Sequence, residues 1–144
     1  MRTQGKWVSL LCLAGALATA CERNAAVEPS ETTGPQIVST TQSARLKQDV
    51  TLEVTKIEDS RCPANAVCIT YGSAKVFFTL KNSTEQKTSE LCLGDCGGGK
   101  GMQNRAVQTI ALGGASYDVV LTEVRPYPGT SSDKPTAVVE IIRK

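Results

Sequence analysis

The chain has 144 residues, a formal charge of +2, six cysteines, no histidine and only 4% aromatic residues. The near-neutral balance gives no basic field to gather phosphate backbones, so a nucleic-acid partner is excluded. The missing histidine removes the commonest general base and every Ser-His or Cys-His pairing at once.

Residues 1–20 open with Arg2 and Lys6 and continue through the apolar run "WVSLLCLAGALATA", Trp7 to Ala20. This is the pattern of an export signal peptide. The run has 14 residues, whereas roughly 20 are needed to cross a ~30 Å hydrocarbon core, so a permanent span is not expected. Two processing readings share a cut before Cys21. "ATA" at Ala18–Ala20 suits ordinary secretion, whereas "LATAC" resembles the lipobox of bacterial lipoproteins, in which the cysteine after the cut is acylated. Ala18 stands where those proteins usually have leucine. Cysteine parity favours lipidation: Cys12 leaves with the leader, and acylation of Cys21 leaves Cys62, Cys68, Cys92 and Cys96, an even set for an oxidising compartment.

Residues 21–44 then read as a lipidated N-terminus and tether, rich in Glu, Ser, Thr and Pro, with "QIVSTTQ", Gln36 to Gln42, offering one optional edge strand. Because Arg2 and Lys6 belong to the leader, the processed chain balances 14 basic against 14 acidic residues.

Residues 45–144 suit one domain with one core. "DVTLEVTKI" alternates with Val50, Leu52 and Val54 on one face until Ile57 breaks the period, which predicts a bulge near Lys56. "NAVCITYG", Asn65 to Gly72, is assigned to a strand. "SAKVFFTLK", Ser73 to Lys81, is the clearest one, with Ala74, Val76, Phe78 and Leu80 facing one way and Lys75, Phe77 and Thr79 the other. "QKTSELCL", Gln86 to Leu93, follows. "RAVQTIAL" and "SYDVVLTEV" flank Gly113–Gly114, a pair suited to a tight hairpin, and "AVVEII", Ala137 to Ile142, closes the set. Met102, Ala106 and Ile110 also fit a helical spacing, but Thr109 and the double glycine favour strand. Seven strands without a long helix predict an all-β fold, an antiparallel β-sandwich. The processed chain has no tryptophan, so any likeness to immunoglobulin domains is one of architecture alone.

Between the strands lie the candidate sites. In "LCLGDCGGGKGM", Leu91 to Met102, Gly94, Gly99 and Lys100 match a phosphate-binding loop, yet Gly101 replaces the hydroxyl that should hold magnesium. A turn stapled by Cys92 and Cys96 is the preferred reading, and no nucleotide is expected. Four cysteines permit three connectivities, of which 62–68 and 92–96 are preferred. Their C-x5-C and C-x3-C spacings, without histidine, argue against zinc, and neither is the C-x-x-C of a disulfide-exchange enzyme. No metal or cofactor is expected. Asp59 and Arg61 are either solvated charges or a half-buried pair that organises the cysteine loop. Tyr127, in "RPYPGTSSDKPT", is either a recognition ring on a stiff backbone or a cap on the sandwich edge. Phe77, opposite Phe78, marks a partner surface if its face is open to solvent.

"DSRCP", Asp59 to Pro63, followed by Cys68 and then Gly72, resembles the signature of a family of small bacterial lipoproteins. The likeness spans roughly residues 59–76, with a weaker echo in "RPYP", Arg125 to Pro128. Thr70 stands where that family commonly has tryptophan. The resemblance implies a lipid-anchored β-domain facing the periplasm or cell exterior, and supplies no activity. The functional expectation is therefore a non-catalytic module of the cell envelope, with a membrane contact through Cys21 and an envelope protein partner contacted by Asp59, Arg61, Phe77 or Tyr127. The alternative is a hydrolase built on carboxylates or a Ser-Lys pair.

Overall fold

The computed structural model describes residues 32–46, 49–99 and 101–144. The leader, Cys21 with its expected acylation, residues 22–31 of the tether, and Lys100 of the glycine loop lie outside the described residues. Among the described residues nine strands form in chain order: β1 (Gln36–Val38), β2 (Ser43–Leu46), β3 (Val50–Asp59), β4 (Ser73–Lys81), β5 (Gln86–Asp95), β6 (Met102–Gln103), β7 (Ala106–Leu112), β8 (Ala115–Arg125) and β9 (Thr136–Arg143). They make two antiparallel sheets, ordered β1-β9-β8-β7 and β2-β3-β4-β5-β6. The fold is the antiparallel β-sandwich that the alternation predicts.

Alternation sets the core. The inward residues of β3 and β4, from Val50 to Val54 and from Ala74 to Leu80, are buried against Val119, Leu121, Val139 and Ile141 of the other sheet. Phe78 is the largest fully buried side chain, and burying a ring of that size contributes about 1.5–3 kcal/mol. The expected bulge falls at Thr55: pairing jumps from Val54↔Phe78 to Lys56↔Phe77, and Ile57 turns back toward the core. Met102–Gln103 and Ala106–Leu112 form strands, not a helix, with β7 paired to β8 throughout. Leu112 pairs with Ala115 across Gly113–Gly114, whose φ values of 60° and 79° are those a two-residue hairpin requires.

Three expectations need correction. Nine strands form among the described residues where seven were expected: β1 and β2, which lie in or begin in the segment assigned to the tether, and the short β6 are added, and one expected strand is lost. Pairing begins with a Thr32↔Ile142 bridge and continues through Gln36↔Val139, so the domain starts well before residue 45 and the edge-strand option for "QIVSTTQ" is the one the fold takes. "NAVCITYG", in contrast, is not a strand; residues 60–72 form a loop.

Strand directions give the sandwich two ends. At one lie the bridged Thr32, the Asn82–Glu85 turn, the Gly113–Gly114 hairpin and the C-terminal Lys144, whose amide bonds to Ser116 O at 2.9 Å. At the other, β3, β5 and β8 end while β4 and β9 begin, so the loops 60–72 and 126–135 and the segment 96–99 meet there.

Candidate functional site

The cysteine loop leaves β3 at Ser60 and is pinned at its base like a short continuation of the hairpin. Ser60 N donates to Ser73 O at 2.8 Å and Cys62 N to Tyr71 O at 2.8 Å. Cys62 and Cys68 are bridged with their Cα atoms 5.9 Å apart, an ordinary disulfide separation, and Ala66 N caps the turn on Pro63 O at 3.0 Å. Gly72, at φ +69°, is where the chain re-enters the sheet. A Cβ there would lie 1.9 Å from Ser60 O, so no other residue fits.

The glycine-rich segment buttresses this base. Asp95 N donates to Gly72 O at 2.9 Å, and a Cβ on Gly94 would come within 2.7 Å of the same oxygen. Cys92 and Cys96 are bridged across this turn, Cα atoms 6.0 Å apart. The staple expected in "LCLGDCGGGKGM" is therefore present. Both preferred disulfide pairings form.

Asp59 and Arg61 make the half-buried pair. Arg61 Nε and Nη2 donate to the two carboxylate oxygens of Asp59 at 2.8 and 2.5 Å, and Nη2 also donates to Val124 O of β8 at 2.8 Å. The side chains keep only 12% and 11% of their exposure. Hydrogen bonding to Asp59 raises the Arg61 pKa further, against the opposing effect of burial, so the guanidinium stays charged. The Tyr127 ring covers it, 4.6 Å from ring centre to guanidinium carbon. Ala64 N donates to Pro128 O at 2.8 Å, and Gly129 lies so close that a Cβ would meet Asn65 Oδ1 at 2.7 Å. Asp59, Arg61 and Tyr127 thus converge, as a clamp between two loops from opposite sheets.

Phe77 is not part of this site. It sits on the outer face of β4, paired with Lys56 and Glu90, half-buried beneath the Lys56 ammonium at 5.8 Å. The apolar surface lies instead on the loop, where sequence reasoning had placed a strand. Val67 and Ile69 are as exposed as in an extended peptide, at 104% and 105%, and Tyr71 is 71% exposed. Beside them a shallow cleft of about 380 Å³ is lined by Cys62, Pro63, Ala66, Val67, Tyr71 and Tyr127. The signal was in the sequence: a disulfide needs its Cα atoms within about 7 Å, whereas extended chain rises ~3.3 Å per residue, so a 62–68 bridge forces the intervening chain to fold back.

Three carboxylates that are not members of this clamp are more acidic than usual, and one of them, Glu123, also feels the Arg61 charge. Glu58 is lowered by hydrogen bonding to Lys56, Asp118 by Thr109 and Lys144, and Glu123 by Arg125. Among the described residues no group of three His, Cys, Asp or Glu side chains is placed to hold a metal ion. Comparison with protein-family models, with curated proteins and with solved structures finds no match to this chain.

Proposed function

We propose that the protein is a non-catalytic lipoprotein of the bacterial cell envelope, anchored through Cys21, whose 60–72 loop is a preformed surface for binding a partner. One observation carries the reading: a loop fixed by a disulfide, a bidentate ion pair and a covering ring presents two aliphatic side chains fully to water. Such side chains on a rigid protrusion contribute nothing to the core, but would bury their full apolar area on contact, at about 25 cal/mol per Å². Because the loop is already ordered, association would cost little further chain entropy.

The test is photo-crosslinking of the intact, lipidated chain in the envelope of cells that make it. The reactive residue would replace Ile69 or, as a control, the exposed Thr109 of β7. A discrete adduct from position 69, lost when Val67 is changed to Asp, is the expected result. Equal adducts from both positions would contradict a dedicated binding loop.

A further inference from the structure

Resting on the lipid-anchored reading, we infer that the loop is held away from the anchoring membrane and engages a protein with an uncharged apolar pocket, not the bilayer to which the chain is tied.

The two ends of the sandwich carry the argument. Thr32, where described pairing begins, bridges Ile142, which pairs with Asp118 near the start of β8. Arg61 reaches Val124 near the end of β8. The six-residue step from Asp118 to Val124 is about 20 Å of strand. Beyond it the loop continues past the Cys62–Tyr71 pair to Val67, whose neighbour Cys68 is bridged to Cys62 with Cα atoms 5.9 Å apart, so the separation is about 20–30 Å. The anchor therefore enters at one end and the apolar tip leaves at the other.

Cys21 precedes Thr32 by eleven positions, a span that can reach at most about 40 Å. Turning the tip down onto the anchoring bilayer would lift Thr32 about 20–30 Å above it and use half or more of that reach. With the tip outward, the segment spans only the short gap beneath Thr32. Laid flat, the domain would point Val67 and Ile69 along the membrane, not into it.

The chemistry of the tip identifies its occupant. Between Arg61 and Lys75 there is no ionisable side chain except the Tyr71 phenol, and Arg61 is already bound to Asp59 and covered by Tyr127. Residues 62–74 themselves offer no cation to anionic headgroups; the exposed Lys134 belongs to the neighbouring 126–135 loop. What projects is a narrow convex knob of Val67 and Ile69 flanked by an aromatic ring. Its complement is a concave apolar pocket with a neutral rim.

Trp7 belongs to the leader, so the processed chain has no tryptophan, and a single introduced indole can report position. Lipidated Ile69→Trp and Lys144→Trp proteins would be reconstituted on phosphatidylethanolamine–phosphatidylglycerol vesicles containing a dansyl lipid. Position 144 lies at the Thr32 end and position 69 at the tip. Energy transfer to the dansyl lipid is expected to be severalfold stronger from the Lys144→Trp protein, with no blue shift of emission from the Ile69→Trp protein. Transfer from position 69 equal to or above that from position 144, or a blue shift at position 69 on vesicle binding, would overturn the inference while leaving a binding loop in place. Failure of the processed chain to float with vesicles would overturn the anchored reading itself, and this inference with it. In the crosslinking at position 69, a protein adduct is the expected product. A phospholipid adduct, or none from positions 67, 69 and 71, would overturn the choice of occupant.

Discussion

Arg61 ties more of the site together than any other side chain, because one guanidinium bonds to Asp59, reaches the β8 backbone and stacks on Tyr127. Removing it leaves a mostly desolvated carboxylate without its partner. Arg61→Ala is therefore expected to destabilise the fold by about 2–4 kcal/mol in urea unfolding, with the m-value preserved. Tyr127→Ala removes only the ring contact and should cost about 0.5–2 kcal/mol. The surface carboxylates set the acid response. Asp118 and Glu123 titrate lower folded than unfolded, so their stabilisation is present above the usual carboxylate range and lost as pH falls through their folded pKa. The urea midpoint should drop below about pH 4, and Asp118→Asn should flatten that drop. The Asp59–Arg61 pair was legible because the two residues are neighbours beside a Cys-Pro. The contacts to Val124 and Tyr127 were not, since they join positions more than 60 residues apart through sheet packing.

The cysteine loop, as an element, is over-determined. A Cβ on Gly72 would meet Ser60 O at 1.9 Å in left-handed backbone, so Gly72→Ala should cost more than the ~1–2 kcal/mol of that conformation alone. The loop closed by Cys62 and Cys68 is short, and replacing both with Ser should cost near the low end of ~2–4 kcal/mol. The more telling effect would be faster proteolysis between residues 62 and 71. The alternation of Val67, Ile69 and Tyr71 reads as a strand because period two records only that side chains share a face. Whether that face meets a second sheet or water depends on the bridge and on Pro63. In β8, by contrast, a readable signal was missed. Inward residues step from Leu121 to Val124, the same three-residue gap that marks Val54 to Ile57, and pairing indeed shifts between Leu121 and Glu123.

For the whole molecule, strand alternation was enough to read the sandwich, and the weakest prediction was where the domain begins. Gln36–Val38 is so short that the sequence offers it only as an optional edge strand, which β9 completes by pairing with it, while Ser43–Leu46 was not anticipated. The core should behave as one cooperative unit, so Phe78→Ala is expected to cost about 3–5 kcal/mol and to lower the melting temperature without changing the fold. The central claim is that the exposed loop is as ordered as the sheets beneath it, and amide hydrogen exchange on the unreduced protein tests it most directly. The Cys62 and Ala64 amides, bonded to Tyr71 O and Pro128 O, are expected to exchange as slowly as those inside β3 and β4, while Val67 and Ile69 exchange freely. Free exchange at Cys62 and Ala64 would contradict a preformed binding surface.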